Sequence, residues 1–144
     1  MTKETEALFG VRSKIWFEDS SGEVIFGLGR LKMLEAIQRQ GSIQAAAKEL
    51  KMSYRAIWGR ITATESRIGR QLLIRNIGGS AGGGSELTPY AVELLEKFRD
   101  IHRRVADEAD RLFQEEILSQ LTPDEEQGAI AEVHHNSRPC RPIR

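Results

Sequence analysis

The sequence contains a single cysteine, Cys140, among 144 residues. An intrachain disulfide therefore cannot form, and neither a cysteine-rich zinc finger nor a disulfide-stapled secreted scaffold fits the chain. No apolar run is long enough to span a bilayer, and the polar first residues lack the apolar core of a secretory signal. We therefore expect a cytoplasmic protein with no membrane association.

The chain also lacks net charge, since 21 basic residues balance 21 acidic ones. A neutral sum argues against a basic coat over the whole surface, but the charges are unevenly placed along the chain. Residues 29–76 contain ten basic and three acidic side chains, a local charge of +7. This concentration predicts one surface that attracts phosphate.

The basic segment contains two short helices joined by a tight corner. Ser42 is suited to cap the first helix, and Ala45–Ala47 allow another helix to approach closely. Lys51-Met-Ser53 forms the corner, in which Ser53 caps the second helix. The order predicts a helix-turn-helix.

The second helix leaves one face free for a ligand. Its apolar positions recur at helical spacing and predict one buried face, formed by Ile57, Ile61, Thr64 and Ile68. Tyr54 and Arg55 fall near the N-terminus on other sides, where arginine can donate two hydrogen bonds to guanine in a major groove. The alternative is that this helix pair binds no DNA and only forms part of the fold, because alanine-rich helix pairs with exposed arginines are common in helical proteins.

Upstream of this pair, the composition predicts a β-hairpin and a supporting helix. Val11–Phe17 and Glu23–Gly27 have strand-like residues, and Asp19–Gly22 supplies a turn. The aromatic side chains of the hairpin, Trp16, Phe17 and Phe26, form either a face packed on the core or a surface for a second subunit. A helix then follows from Gly29 to Gln40 and ends at Gly41.

Downstream, a second hairpin predicts the wing of a winged helix. Gln71–Ile77 is strand-like, Gly78–Ser85 is a glycine-rich loop, and Glu86–Thr88 returns as a short strand. The loop either lies over the DNA backbone or minor groove, or is a flexible loop that makes no contact. A nucleotide phosphate loop is excluded, because no Lys-Ser/Thr pair follows the glycines.

Thr88 and Pro89 are typical of a helix start and predict a long helix to residue 121. Its apolar stripe is longer than a small winged core can cover, so we expect it to pair with a second copy. The predicted interface comprises Leu94, Phe98, Ile101, Val105 and Leu112. The alternative is that the helix folds back on its own domain.

Residues 122–144 are polar and predict a disordered tail. Its His134, His135 and Cys140 are a poor template for a tetrahedral metal site. We therefore expect no metal and no cofactor.

Several motifs of these elements occur together: Gly41-Ser-Ile43, Ala45–Ala47, Met52-Ser-Tyr-Arg55, Ala56 to Trp58, Ile77-Gly-Gly79, Gly82–Gly84 and Leu87-Thr88. This combination resembles the DNA-binding domain of the molybdate-responsive ModE regulators over roughly residues 15–113. A more distant similarity to the LysR-type regulators shows through Ala45–Ala47, Ile61, Gly69 and Leu87-Thr88.

The resemblance implies a dimeric winged helix-turn-helix that binds operator DNA with the helix from Ser53 in the major groove. It implies Ser53, Tyr54, Arg55 and Thr62 as groove residues, and Trp58 as either a DNA contact or a brace. We extend the predicted DNA-binding surface to polar residues of the helix pair and the wing: Ser42, Gln44, Arg60, Arg75 and Ser80. We do not expect the molybdate-binding domains of ModE regulators within these 144 residues, and three modes stay open: constitutive binding, an effector at the dimer interface, or a sensor on a separate protein.

The sequence thus predicts a mainly α fold with small β elements, a winged helix-turn-helix with an N-terminal β-hairpin and a long dimerisation helix. We expect a flexible N-terminus at 1–10, the winged domain at 11–88, the long helix at 89–121 and the tail at 122–144. The predicted function is sequence-specific binding of double-stranded DNA by a homodimeric transcriptional regulator. The alternative is a protein-interaction adaptor, whereas no spacing of nucleophile and base indicates an enzyme.

Overall fold

A two-stranded hairpin precedes the first helix in the computed structural model, which describes residues 9–76 and 83–121. Strand β1 (Trp16–Glu18) pairs antiparallel with β2 (Val24–Gly27). The turn between them is closed by Asp19, whose Oδ1 accepts hydrogen bonds from the backbone N–H of Ser21 and of Glu23 at 2.9 and 3.0 Å. The predicted hairpin is confirmed.

Three helices follow, namely α1 (Leu28–Gln40), α2 (Ile43–Leu50) and α3 (Tyr54–Ile68). Ser42 and Ser53 cap α2 and α3, since each hydroxyl accepts from the backbone N–H three residues later at 3.1 Å. Gly41 and Gly69 end α1 and α3 at φ of 79° and 74°, a conformation that glycine adopts without steric cost. Both predicted serine caps and the predicted helix order are confirmed.

The core lies between these helices and the hairpin. Ile57, Ile61 and Thr64 of α3 are buried, as their spacing predicts, whereas Ile68, the fourth residue of the predicted face, is only partly buried. Thr64 is a polar member of this core, and its hydroxyl donates to the Ile25 carbonyl of β2 at 2.6 Å. This bond, together with that from Arg67 to the Val24 carbonyl at 2.6 Å, ties the edge of the hairpin to α3.

The aromatic residues of the hairpin divide between core and surface. Phe26 is completely buried, and Phe17 packs against the core from a partly buried position. Their rings meet Phe98 edge to face, with centroids 5.3 Å away for Phe17 and 5.1 Å for Phe26. Trp16, by contrast, is 39% exposed. The core alternative therefore holds for Phe17 and Phe26.

Phe98 requires a correction to the predicted dimer interface. Its side chain has no exposed surface, because the two aromatic rings of the hairpin enclose it. Helical spacing identifies the apolar stripe to which Phe98 belongs, but the hairpin covers this part of the stripe. A second copy of the chain therefore cannot contact this ring.

The wing consists of β3 (Leu73–Asn76) and β4 (Gly84–Leu87), which pair antiparallel. The Ser85 N–H donates to the Gly41 carbonyl at 2.8 Å and so fixes β4 against the corner between α1 and α2. Gly84 permits this approach, since a Cβ atom there would lie 3.0 Å from the same oxygen. The wing is thus tied to the helix-turn-helix through its second strand.

The last helix, α4, runs from Pro89 to Phe113, and a π-helical turn follows at Gln114–Leu118. Thr88 caps it as predicted, with its hydroxyl accepting from the Ala91 N–H at 3.1 Å. Among the described residues, no helix is long and apolar enough to cross a membrane.

The chain divides into two units, and the division falls inside α4. The first unit is 13–106, and it includes the start of α4 because Ala91, Leu95 and Phe98 are buried in its core. The described part of the second unit is 9–12 and 107–121, where the Phe9 and Phe113 rings meet edge to face at 5.5 Å. The predicted tail, Ser80 and the first eight residues lie outside the described residues.

Candidate nucleic-acid interface

Two helix N-termini carry the predicted interface. Neither α2 nor α3 has an acidic residue in its first turn. The aligned peptide dipoles and free N–H groups of a helix N-terminus favour anions, and nothing acidic in these first turns offsets that preference. The hydroxyls of Ser42 and Ser53 each accept one N–H as a cap, but each keeps its own proton free to donate.

A groove of about 400 Å³ joins these termini to the wing. Four of the predicted DNA-binding residues line it together: Ser42, Gln44, Tyr54 and Arg75. Asn76, Gly83 and Gly84 also line this groove, which we call the central groove. The sequence analysis included Gly83 and Gly84 in the wing loop but assigned none of these three residues to the DNA-binding surface, because they reach the groove only when β3 and β4 pair.

Trp58 links α3 to the wing through stacked side chains. The Arg75 guanidinium carbon lies 3.2 Å from the centroid of the Trp58 ring, and the Tyr54 ring stacks parallel to it at 6.4 Å. A guanidinium above an indole face is attracted by the electron density of the ring. The arrangement brings together a residue of β3 and a residue of α3 that are far apart in sequence, and it supports the bracing alternative for Trp58.

A second groove, of about 630 Å³, lies beyond the Trp58–Arg75 contact. Thr62, Arg70 and Gln71 line it together with those two residues. The hydroxyl of Thr62 donates to the Trp58 carbonyl at 2.8 Å, so it offers mainly an acceptor to a ligand. The Glu65 carboxylate, which also lines this groove, accepts from the backbone N–H groups of Leu72 and Leu73 and so fixes the turn into β3.

Other predicted residues fall outside both grooves. Arg55 and Ser53 are exposed at the start of α3, and Arg55 makes no hydrogen bond or ion pair with any described residue. Arg60 instead lines a different pocket, formed with β1 and the start of α1. Two residues along a helix correspond to a rotation of about 200°, which takes Arg60 away from the Trp58 side.

No group of three or more potential metal ligands occurs within residues 9–76 and 83–121. His134, His135 and Cys140 lie outside the described residues.

Residues 28–92 match the family of bacterial regulatory helix-turn-helix proteins of the lysR type. This segment holds α1, α2, α3, the wing and the first residues of α4. It is a LysR-type helix-turn-helix domain. The family is described as one of regulatory proteins, which supports the prediction of a regulator rather than an enzyme.

Relatives also match the N-terminal part of this chain. The transcriptional regulator ModE of Haemophilus influenzae is 41% identical over 62% of this chain. The molybdenum transport protein ModE of Azotobacter vinelandii is 37% identical over 65% of this chain. The predicted resemblance to ModE is therefore confirmed for this domain, although the chain spans only 34% of the length of each of these two relatives.

Among solved structures, the complex of the CbnR DNA-binding domain with DNA is similar to this chain. The match is 30% identical, covers 60% of this chain and 94% of that one, and has a TM-score of 0.47.

Proposed function

We propose that this chain is a sequence-specific DNA-binding transcriptional regulator that acts as a homodimer on operator DNA, in the manner of a ModE-like protein. The observation that carries the proposal is the central groove, where two helix N-termini without acidic first-turn residues meet Arg75 of the wing. A groove of this kind suits a phosphate backbone. The name of the Haemophilus relative, a transcriptional regulator, supports the same function.

In this proposal α3 enters the major groove. Tyr54 is 48% exposed and Arg55 is exposed beside it, so both side chains are available to base edges. The phosphate backbone of the DNA accepts hydrogen bonds from Gln44, on the exposed surface of α2, and from the cap residues Ser42 and Ser53. Thr62 and the wing residue Arg75 extend the contact beyond α3, and Trp58 holds Arg75 in place.

The homodimer is proposed to form through α4. Ile101 and Val105 are 41% and 38% exposed in the first unit, one helical turn apart. Within the first unit, the partly buried Leu94 extends this apolar surface. Leu112, which belongs to the second unit, is 44% exposed. Apolar side chains at these spacings suit pairing with the same helix of a second copy, which would let two α3 helices read two half-sites. We also propose that the protein acts in the cytoplasm, where a DNA target would be available to it.

Selection of random duplex DNA by the full chain at about 150 mM salt tests this proposal. An inverted repeat with half-sites about one helical turn apart is the expected result. Repeating the selection with molybdate shows whether this chain responds to the anion. Binding without sequence enrichment would contradict the proposal, and no salt-dependent DNA affinity at all would favour a protein-interaction adaptor.

A further inference from the structure

A third cavity opens on the side of α3 that carries Arg60. It has a volume of about 380 Å³, and we call it the cationic pocket. Three of its lining side chains are cations: Lys14, Arg30 and Arg60. Its other walls are mainly apolar and come from β1, β2 and α1, and they include Trp16, Val24, Leu28 and Met33. No carboxylate lines it.

The three cations are not neutralised within the part of the chain that the structure describes. No ion pair there involves Lys14, Arg30 or Arg60. The hydrogen bond that Arg30 makes there is a long one, from Nε to the Arg60 carbonyl at 3.4 Å. Glu18, which accepts from the Trp16 indole N–H at 2.6 Å, is not a lining residue.

The pKa of Arg30 is lowered by this excess of positive charge and by burial. Partial burial lowers the pKa of its guanidinium, and the neighbouring charges of Arg67 and Arg60 lower it further. A bound anion would offset both effects, since it would neutralise charge in a site that is partly withdrawn from water. Arg67 itself is already engaged by the Val24 carbonyl and by Glu23.

Backbone donors at the start of α1 add to the positive potential. Gly27 occupies the N-cap position of this 13-residue helix and has no side chain to accept the first N–H groups. Gly27, Leu28 and Gly29 all line the cationic pocket, and nothing lies within 4 Å of the place where a Gly29 Cβ would be. An anion in the pocket would therefore find helix N–H donors beside the three cations.

We propose that the cationic pocket binds a small organic anion, a carboxylate or phosphate monoester that carries an apolar group. The cations and the α1 N-terminus hold the anionic head, and the 39% exposed Trp16 ring with its apolar neighbours covers the rest. The cationic pocket is distinct from the two grooves that hold Tyr54, Trp58, Thr62 and Arg75, and Arg60 is the one predicted DNA-binding residue that lines it. It does not rest on the DNA-binding proposal.

The test follows the amide and indole N–H signals of the ¹⁵N-labelled full chain during titration with phenyl phosphate and with benzoate. Saturable shifts at the Trp16 indole, Gly27 and Gly29 are expected, and inorganic phosphate and benzyl alcohol should each bind more weakly. Arg30→Gln and Arg60→Gln should each weaken binding at least about tenfold, as expected for a charged hydrogen bond. Arg30→Lys keeps the charge and should retain part of the affinity.

Arg104→Gln is the matched control, since Arg104 is an exposed arginine of α4 outside the pocket, and it should leave the titration unchanged. The proposal is overturned if no saturable shift occurs up to about 10 mM probe, or if benzyl alcohol binds as well as phenyl phosphate. It is also overturned if Arg104→Gln weakens binding as much as Arg60→Gln. Loss of DNA affinity in Arg60→Gln without small-anion binding would make the pocket a DNA phosphate contact instead.

Discussion

The contact between Trp58 and Arg75 should be worth a measurable part of DNA affinity. The guanidinium carbon lies 3.2 Å from the ring centroid, but Arg75 is exposed and Trp58 only partly buried. A cation–π contact at such a site contributes about 0.5–1 kcal/mol. If the contact pre-orders the wing for DNA, this energy corresponds to about a two- to fivefold change in dissociation constant.

A double-mutant cycle isolates that contribution. Trp58→Leu, Arg75→Gln and the double variant are compared with the natural chain for affinity to one selected duplex, and the coupling energy should be about 0.5–1 kcal/mol. A control cycle uses Arg70→Gln in place of Arg75→Gln. Arg70 lines the groove of about 630 Å³ together with Trp58 and Arg75, but its guanidinium lies over the Tyr90 ring and not over Trp58. Strictly additive losses would refute the bracing role and make Trp58 an independent DNA contact. Tighter binding by Trp58→Leu would mean that DNA must break the contact.

The remaining predictions concern stability and are measured by chemical denaturation. Thr64→Val should cost about 1–3 kcal/mol because it leaves a partly buried strand carbonyl without its donor, whereas Thr62→Val, a control on the same helix, should cost less. Gly84→Ala should destabilise by about 1–3 kcal/mol because its Cβ would crowd a backbone oxygen at 3.0 Å, while Gly59→Ala, in open space on α3, should not destabilise. Hydrogen bonds from Ser21 and from the Glu23 backbone lower the pKa of Asp19 below its ordinary 3.8, so the stability it adds is present above that pH and is lost as the pH falls through the lowered value. Asp19→Asn should remove this acid-side loss, and an unchanged pH profile would contradict the assignment.

The helices could be predicted because their signals are local. Ser42 and Ser53 cap helices through a hydrogen bond to an N–H only three residues away. Gly41 and Gly69 end helices in a left-handed conformation that other residues avoid. The apolar spacing of α3 similarly identifies its buried face without knowledge of what covers it. These features are fixed by residues within a few positions of each other.

The tertiary relations of the candidate site could not be predicted in the same way. Helical spacing placed Phe98 on an apolar stripe, but only the folded hairpin shows that its ring is enclosed. The local positive charge led us to assign Arg60 to the DNA-binding surface with Arg55 and Arg75, although the packing of α1 and β1 puts it in a separate pocket. The pairing of Trp58 with Arg75 likewise depends on where β3 crosses α3. Each relation joins residues that are distant in sequence.

The specificity of an Arg55→Ala variant tests the central claim most directly. Affinities of the natural and variant chains are measured on the selected duplex and on a random duplex at the same salt concentration, with Arg104→Ala as the control. If Arg55 reads a base in the major groove, its removal should weaken selected-site binding by about 1–3 kcal/mol, or about 5- to 150-fold, with a much smaller loss on random DNA. Equal losses on both duplexes would make Arg55 a backbone contact, and no loss on either would contradict the placement of α3 in the major groove.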